Sequence, residues 1–310
     1  MSAPLDSAPE TIAAMPTWRL RLRPTSPWAT PWHADSLFGA LAWRCAEAYG
    51  EDVLLQWIAA FKSGKPPFVL SDALPGDWFP APIGPRYQVK GEKTRLPVWV
   101  NSSDFRRMLK EPGFRSPDSA VGGEMSTSAD RRQAAIGRIS DRTDAGGALF
   151  EVEQRVLSQH SGEFFSIYVR AESHGVVESL LALLSLTGFG KKSSTGLGAF
   201  RLEGEPERCE WLDGQEGANG FVSLSHFVPA PNDPTEGAWR TQVSYPKYHG
   251  SAVAHPFKGK LVQFVPGSWF CTGALPRSWY GRVVPVGCPE YSEAVQYGLA
   301  FAVPAKVPVD

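Results

Sequence analysis

Gly188-Phe189-Gly190-Lys191-Lys192-Ser193-Ser194-Thr195-Gly196-Leu197-Gly198 is the stretch on which the fold turns. Its four glycines let the backbone bend tightly and approach a ligand closely. Two lysines and three hydroxyls supply donors for phosphate oxygens. Upstream, Gly175 to Thr187 places Val176, Leu180, Leu183 and Leu184 at helical spacing; downstream, Ala199 to Leu202 starts a strand. A nucleotide-binding P-loop has the opposite polarity, strand into helix. Its first glycine would fall at Ser185 and its hydroxyl residue at Lys192, so the spacing fails as well.

Working outward, Thr17 to Arg23 alternates Trp18, Leu20 and Leu22 with Arg19, Arg21 and Arg23. This predicts a half-buried strand with a basic outer face. Three prolines between Pro24 and Pro31 end it. Asp35 or Ser36 then suits an N-cap, followed by Leu37, Phe38, Leu41, Ala42 and Cys45 at helical spacing until Gly50. A short helix over Asp52 to Phe61 and a strand over Phe68 to Leu70 come next. Ser71 to Pro97 is rich in proline and aromatics. Val98 to Val100 reads as a strand and Ser103 to Lys110 as a helix capped by Ser103. Glu111 to Gly147 has no periodicity, which marks a functional loop or a disordered excursion. Leu149 to Leu157 and Phe164 to Ala171 read as strands.

With that insertion removed, the order is β-α-β-β-α-β, the ferredoxin-like arrangement shared by RNA-recognition modules. The acidic run Glu203 to Asn219 reads as a linker. Beyond it the signals are strands: Phe221 to Val228, Trp239 to Tyr245, Lys260 to Val265, Ser268 to Cys271 and Val295 to Val303. The expected fold class is α+β, with two ferredoxin-like, RRM-like domains. The first spans 17–205, with the G-rich loop and a long insertion at about 71–147. The second spans 206–310 and is degenerate and strand-rich. Residues 1–16 are expected to be a disordered leader, not a signal peptide.

The net charge of −1 conceals patches. Glu203 to Glu236 holds eight acids and one base, Arg208; Arg240 to Arg282 holds six bases and no acid. Arg86 to Lys110 carries seven bases against Glu92 and Asp104. Such separation predicts one face for a polyanion and another for a different partner. Cys45, Cys209, Cys271 and Cys288 are widely spaced, which argues against a zinc site or a disulfide framework and fits a reducing cytoplasm. No cofactor or metal is called for, and no apolar stretch is long enough for a membrane helix.

Helix, then G-x-G-K-K-S-S-x-G-x-G, then strand resembles the G-rich loop of the RAMP superfamily of CRISPR proteins. Ser36-Leu37-Phe38-Gly39-Ala40-Leu41 resembles the first helix of the Csm-type fourth subunit of type III-A effector complexes. Ile139-Ser140-Asp141-Arg142-Thr143 with Gly146-Gly147-Ala148-Leu149-Phe150-Glu151 is similar to that family's insertion and re-entry strand. Pro256-Phe257-Lys258, Pro266-Gly267-Ser268 and Tyr297-Gly298-Leu299-Ala300-Phe301 resemble its second domain and closing strand. The resemblance implies a non-catalytic RAMP that holds the 5′ repeat-derived handle of the CRISPR RNA. It also implies docking to the large Palm-domain signature subunit and to a backbone RAMP subunit.

A handle gripped by protein is single-stranded, and its phosphates need cations and backbone N–H groups. The expected RNA-binding residues are Gly190, Lys191, Lys192, Ser193, Ser194, Thr195 and Gly196 in the loop, His33 and Ser36 at the first helix, and Arg138 and Arg142 in the insertion. Lys247, Tyr248 and Lys258 in the acid-free segment complete the set. His33 also carries the alternative, a metal-independent CRISPR-RNA-processing endoribonuclease, against which stand scattered histidines and no evident partner base. Trp28 and Trp32, among prolines, and Trp78 and Phe79 are expected at a subunit contact.

Overall fold

The computed structural model describes residues 15–84, 87–89, 92–94, 98–114, 117–134, 149–247, 258–286 and 292–308. The alternation at the start of the chain makes Thr17–Pro24 a strand with Leu20 and Leu22 in the core. It pairs antiparallel with Phe165–Arg170 on one side and Phe200–Arg208 on the other; Val69–Leu70 lies outside Phe165–Arg170. In chain order these four strands stand fourth, first, third, second across the sheet, the arrangement of a β-α-β-β-α-β unit. Leu74–Pro75 adds a short fifth strand.

Helix α1, Ala34–Tyr49, buries Leu37, Phe38, Leu41 and Cys45 and packs on α2, Glu51–Lys62, and on α4, Gly175–Ser185. The inner face of α4 is Val177, Leu180, Leu181 and Leu184, with Val176 exposed. The face is rotated from the expected one because Val176 and Val177 are both apolar, and spacing alone cannot choose between them. Helix α3, Ser102–Lys110, is capped by Asn101, whose side-chain oxygen accepts the Asp104 N–H at 2.9 Å, and not by Ser103.

The first part of the expected acidic linker, Glu203 to Arg208, is instead sheet. Glu203 lies opposite Arg21, and Glu207 opposite Arg19. Arg23 pairs with Glu203 at 2.9 Å and with Glu163, Arg21 with Glu207 at 3.0 Å, and Arg19 with Asp77. Opposite charges on facing strands stabilise the pairing. They also neutralise, within the chain, the basic face that the alternation of the first strand presents.

Part of the aperiodic insertion is ordered. Trp78–Pro80, Val98–Asn101 and Val121–Gly122 form a small sheet, and Ser126–Ala134 pairs antiparallel with Leu149–Leu157 as a long hairpin. Ser126–Ala134 reads as polar throughout because the two-stranded hairpin buries little of it.

A second antiparallel sheet has the order Gly237–Ala238, Trp269–Cys271, Gly220–Ser223, Leu299–Ala305, Trp279–Gly281. A separate ribbon pairs Thr241–Ser244 with Leu261–Phe264. After Ser185, the described residues contain no α-helix. The two halves share one core. Tyr297 stacks on Phe38 at 5.1 Å, and its hydroxyl accepts the Leu70 N–H at 2.8 Å. The buried Arg170 guanidinium donates to the Leu212 carbonyl at 2.9 Å and the Ala302 carbonyl at 2.8 Å. Burial pushes its pKa down to about 10 against the opposing charge of Asp213.

Trp28 and Trp32 are core residues and not an exposed contact. They are 4% and 3% exposed. Trp32 packs on Phe165, Phe189 and Phe200, and Trp28 sits edge-on to Phe165. Phe79 is likewise buried, stacked on Phe105 at 4.8 Å, while Trp78 is half-buried. Among the described residues no helix is long and apolar enough to cross a membrane.

Candidate nucleic-acid interface

The glycine loop is a folded structure anchored at both ends. Phe189 and Leu197 are buried. The Phe189 N–H donates to the Gly198 carbonyl at 2.8 Å, and the Gly198 N–H to the Pro27 carbonyl at 2.7 Å. Gly188, Gly190, Gly196 and Gly198 all have positive φ, as does Lys192, the one such non-glycine among the described residues. Ser193–Thr195 forms a single 3-10 turn between Lys192 and Gly196.

The glycines serve different ends. A Cβ at Gly190 would lie 2.5 Å from the Thr30 side chain, whose hydroxyl accepts the Lys191 N–H at 2.8 Å. One at Gly198 would collide with the Phe189 carbonyl. Both therefore admit the protein's own backbone and side chains. Gly196 faces open space, and Lys191, Ser194 and Thr195 beside it are exposed. This outer rim is what a ligand can meet.

Thr30 holds the loop, and three residues further on His33 occupies the N-cap position of α1. No side chain of α1 caps it, contrary to the expectation for Asp35 or Ser36. The Ala34 N–H instead donates at 2.8 Å to Asp72 Oδ1, which follows the strand Val69–Leu70. A carboxylate at a helix N-terminus is favoured by the helix dipole. Asp35 turns inward, where Gln296 donates to its Oδ2 at 3.0 Å; Ser36, half-buried, donates its N–H to Asp35 Oδ1 at 2.6 Å.

The histidine expected to lack a partner has one. His33 stacks on buried His226 at 4.0 Å between ring centroids, with 27° between planes. His226 Nδ1 lies 2.5 Å from Asp72 Oδ2, and its Nε2 3.2 Å from Gln242 Oε1. Burial alone lowers the His226 pKa, but the Asp72 charge and hydrogen bond outweigh it and the pKa is raised. Burial and then the His226 charge lower that of His33. Burial opposes ionisation of Asp72, yet its histidine neighbours and the Ala34 N–H bring the pKa below the usual value. Asp72 thus favours the protonated form of His226, and that form in turn disfavours a proton on His33.

This group forms part of the wall of a cavity of about 510 Å³, which Trp28, Trp32, Trp99, Arg155 and Arg240 also line. Asp72, His226 and Arg155 are absent from the expected site residues. Their signal is faint: Asp72 and His226 each interrupt an apolar run, and a buried charge needs a partner. Lys258 reaches the same region, donating to Gln296 Oε1 at 2.9 Å, and Lys247 lies at the end of the acid-free ribbon. Arg138, Arg142 and Tyr248 lie outside the described residues, as do most of the insertion motif at 139–148 and Pro256-Phe257.

No family model matches the chain. Across its sequence it is 23% identical, over 274 residues, to "CRISPR system Cms protein Csm4" of Streptococcus thermophilus, covering 84% of this chain and 86% of that protein. Its structure is similar to a chain of the Csm1-Csm4 cassette solved in complex with pppApA, at a TM-score of 0.58 and 16% identity, over 95% of this chain and 100% of the other. It is also similar to a chain of the Csm3-Csm4 subcomplex of the type III-A CRISPR-Cas interference complex, at 0.57 and 13%, over 93% and 99%. The chain shares its fold with those two chains over nearly its whole length. The resemblance to the Csm-type fourth subunit covers most of the sequence and nearly all of the structure.

Proposed function

We propose that this chain is a non-catalytic subunit of a type III CRISPR effector ribonucleoprotein that binds the 5′ handle of the CRISPR RNA. The observation that carries the reading is the exposed rim Lys191, Ser194, Thr195 and Gly196, set on a hydrogen-bonded loop of a β-α-β-β-α-β unit. Cations and hydroxyls around an open glycine suit the phosphates of a single strand. The second sheet is a degenerate companion unit, and its ribbon extends the binding surface with Arg240, Lys247 and Lys260. Relatives solved with Csm1 and with Csm3 support docking of the Palm-domain subunit and a backbone RAMP.

Cleavage at His33 is the second reading, and the pairing of a neutral with a charged histidine motivates it. In-line transfer needs its base and acid on opposite sides of one phosphate. Rings stacked at 4.0 Å stand on the same side, so the geometry favours binding. The test is affinity capture of the tagged chain from its native host with sequencing of the bound RNA. Short RNAs sharing one 5′ sequence are expected, together with two co-purifying subunits. Random cellular RNA would sink the reading, and loss of CRISPR-RNA processing in a His33→Ala strain would favour cleavage.

A further inference from the structure

One ligand-type atom from each of His33, Asp72 and His226 lies within 4.8 Å of the other two. We propose that these three side chains form a site for a divalent transition-metal ion of the zinc class, with its fourth coordination position open to the cavity. The inference goes beyond RNA binding and does not depend on it.

Two imidazoles and one carboxylate suit zinc and its neighbours in the first transition series. Three protein ligands with one open position is the pattern of a reactive zinc site, in contrast to a closed structural one. With bonds of about 2.0–2.1 Å, tetrahedral ligand atoms stand about 3.3 Å apart. The His226–Asp72 separation of 2.5 Å would open, and the His33–His226 stack at 4.0 Å between centroids would loosen so that both rings aim at one ion.

The atoms facing away from the ion are already held. Asp72 Oδ1 accepts the Ala34 N–H at 2.8 Å and the His226 backbone N–H at 3.3 Å. His226 Nε2 faces Gln242 Oε1 at 3.2 Å and keeps its proton there, while the Nδ1 proton directed at Asp72 leaves to solvent when the ion binds. Outer hydrogen bonds of this kind fix the tautomer and orientation of metal-binding histidines. The cavity supplies the entry path that a metal site requires. An ion here would tie the Pro-rich segment before α1 to the second sheet. It would also offer a cationic centre to an oxygen entering the cavity.

The test uses the full chain, treated with chelator, dialysed, and kept free of RNA. Titration with Zn²⁺ by calorimetry is expected to saturate at about one ion per chain. Co²⁺ is expected to give the visible absorption bands of a four-coordinate N/O site. His33→Gln keeps the Asp72–His226 pair and should weaken Zn²⁺ binding at least about 10-fold. His226→Gln should abolish it, with circular dichroism showing whether that variant folds. Absence of stoichiometric uptake by the wild type, or uptake that His33→Gln leaves unchanged, overturns the proposal. Because no RNA is present, either result leaves the RNA-binding reading standing on its own test.

Discussion

Asp72 Oδ2 and His226 Nδ1 lie 2.5 Å apart, although 154 residues separate them in the chain and both are buried. Asp72→Asn removes the counter-ion of a buried imidazolium and weakens the cap of α1. Breaking a buried pair from one side costs about 3–5 kcal/mol. Urea unfolding of the variant should show a loss of that size; a loss under about 1 kcal/mol would mean the pair is not ionised.

The same pair fixes a pH profile for the chelator-treated chain. The His226 pKa is raised above 6.5, so its contribution is complete below that value and is lost as pH climbs through the raised one. The Asp72 pKa is lowered below 3.8, so its contribution is complete above that value and is lost as pH falls through the lowered one. His33, held neutral, adds a further loss below 6.5. Stability measured across pH should fall at both ends, and the alkaline fall should vanish in His226→Gln.

Gly198→Ala and Gly196→Ala separate packing from backbone strain. Both positions have positive φ, at 71° and 89°, which costs a side chain about 1–2 kcal/mol. At 196 nothing else stands in the way, whereas at 198 the Phe189 carbonyl does. Chemical denaturation should therefore show Gly198→Ala as clearly the more damaging. Equal losses would contradict the described loop.

Lys191→Ala should weaken handle binding without changing stability, since the side chain is exposed. Releasing one phosphate of a single strand from its cation should flatten the log Kd against log salt slope by about 0.7. Arg21→Ala serves as a control. Arg21 is engaged by Glu207 at 3.0 Å, and its loss should leave the slope unchanged. Fluorescence anisotropy of the assembled complex over a salt series measures both.

Trp32→Ala should cost about 3–5 kcal/mol of folding stability, as expected for a large buried aromatic. Trp239→Ala, at a position 48% exposed, should stay within about 0.5 kcal/mol. A thermal-melt comparison distinguishes them. If Trp32→Ala were harmless to folding but blocked assembly, the burial of Trp32 described above would be wrong.

The local patterns in the sequence carry the first sheet well. Leu20 and Leu22 alternate because one face of their strand is core, and Leu37, Phe38 and Leu41 recur because α1 is amphipathic. The helix-to-strand polarity of the glycine loop excludes a P-loop without coordinates. What stays hidden depends on contacts between distant segments. Glu203 to Arg208 is too charged to read as a strand until Arg19, Arg21 and Arg23 are placed opposite. Trp28 and Trp32 look exposed among prolines until Phe165, Phe189 and Phe200 close over them. His33 looks isolated because its neighbours Asp72 and His226 come from separate turns of the chain, neither marked by a motif. The exposure of Lys191, Ser194 and Thr195 is legible because polar residues in a glycine-flanked turn face solvent.

The strand Leu299–Ala305 is buried along its whole length, and Tyr297 just before it packs into the core beside Phe38 and Phe61. The helices made first therefore cannot complete their packing until Tyr297 has been made. Any product truncated before Tyr297 leaves Phe38 and Phe61 without that cover, a lesion that cellular proteases recognise. The packing of α1 thus waits on a strand made long after it.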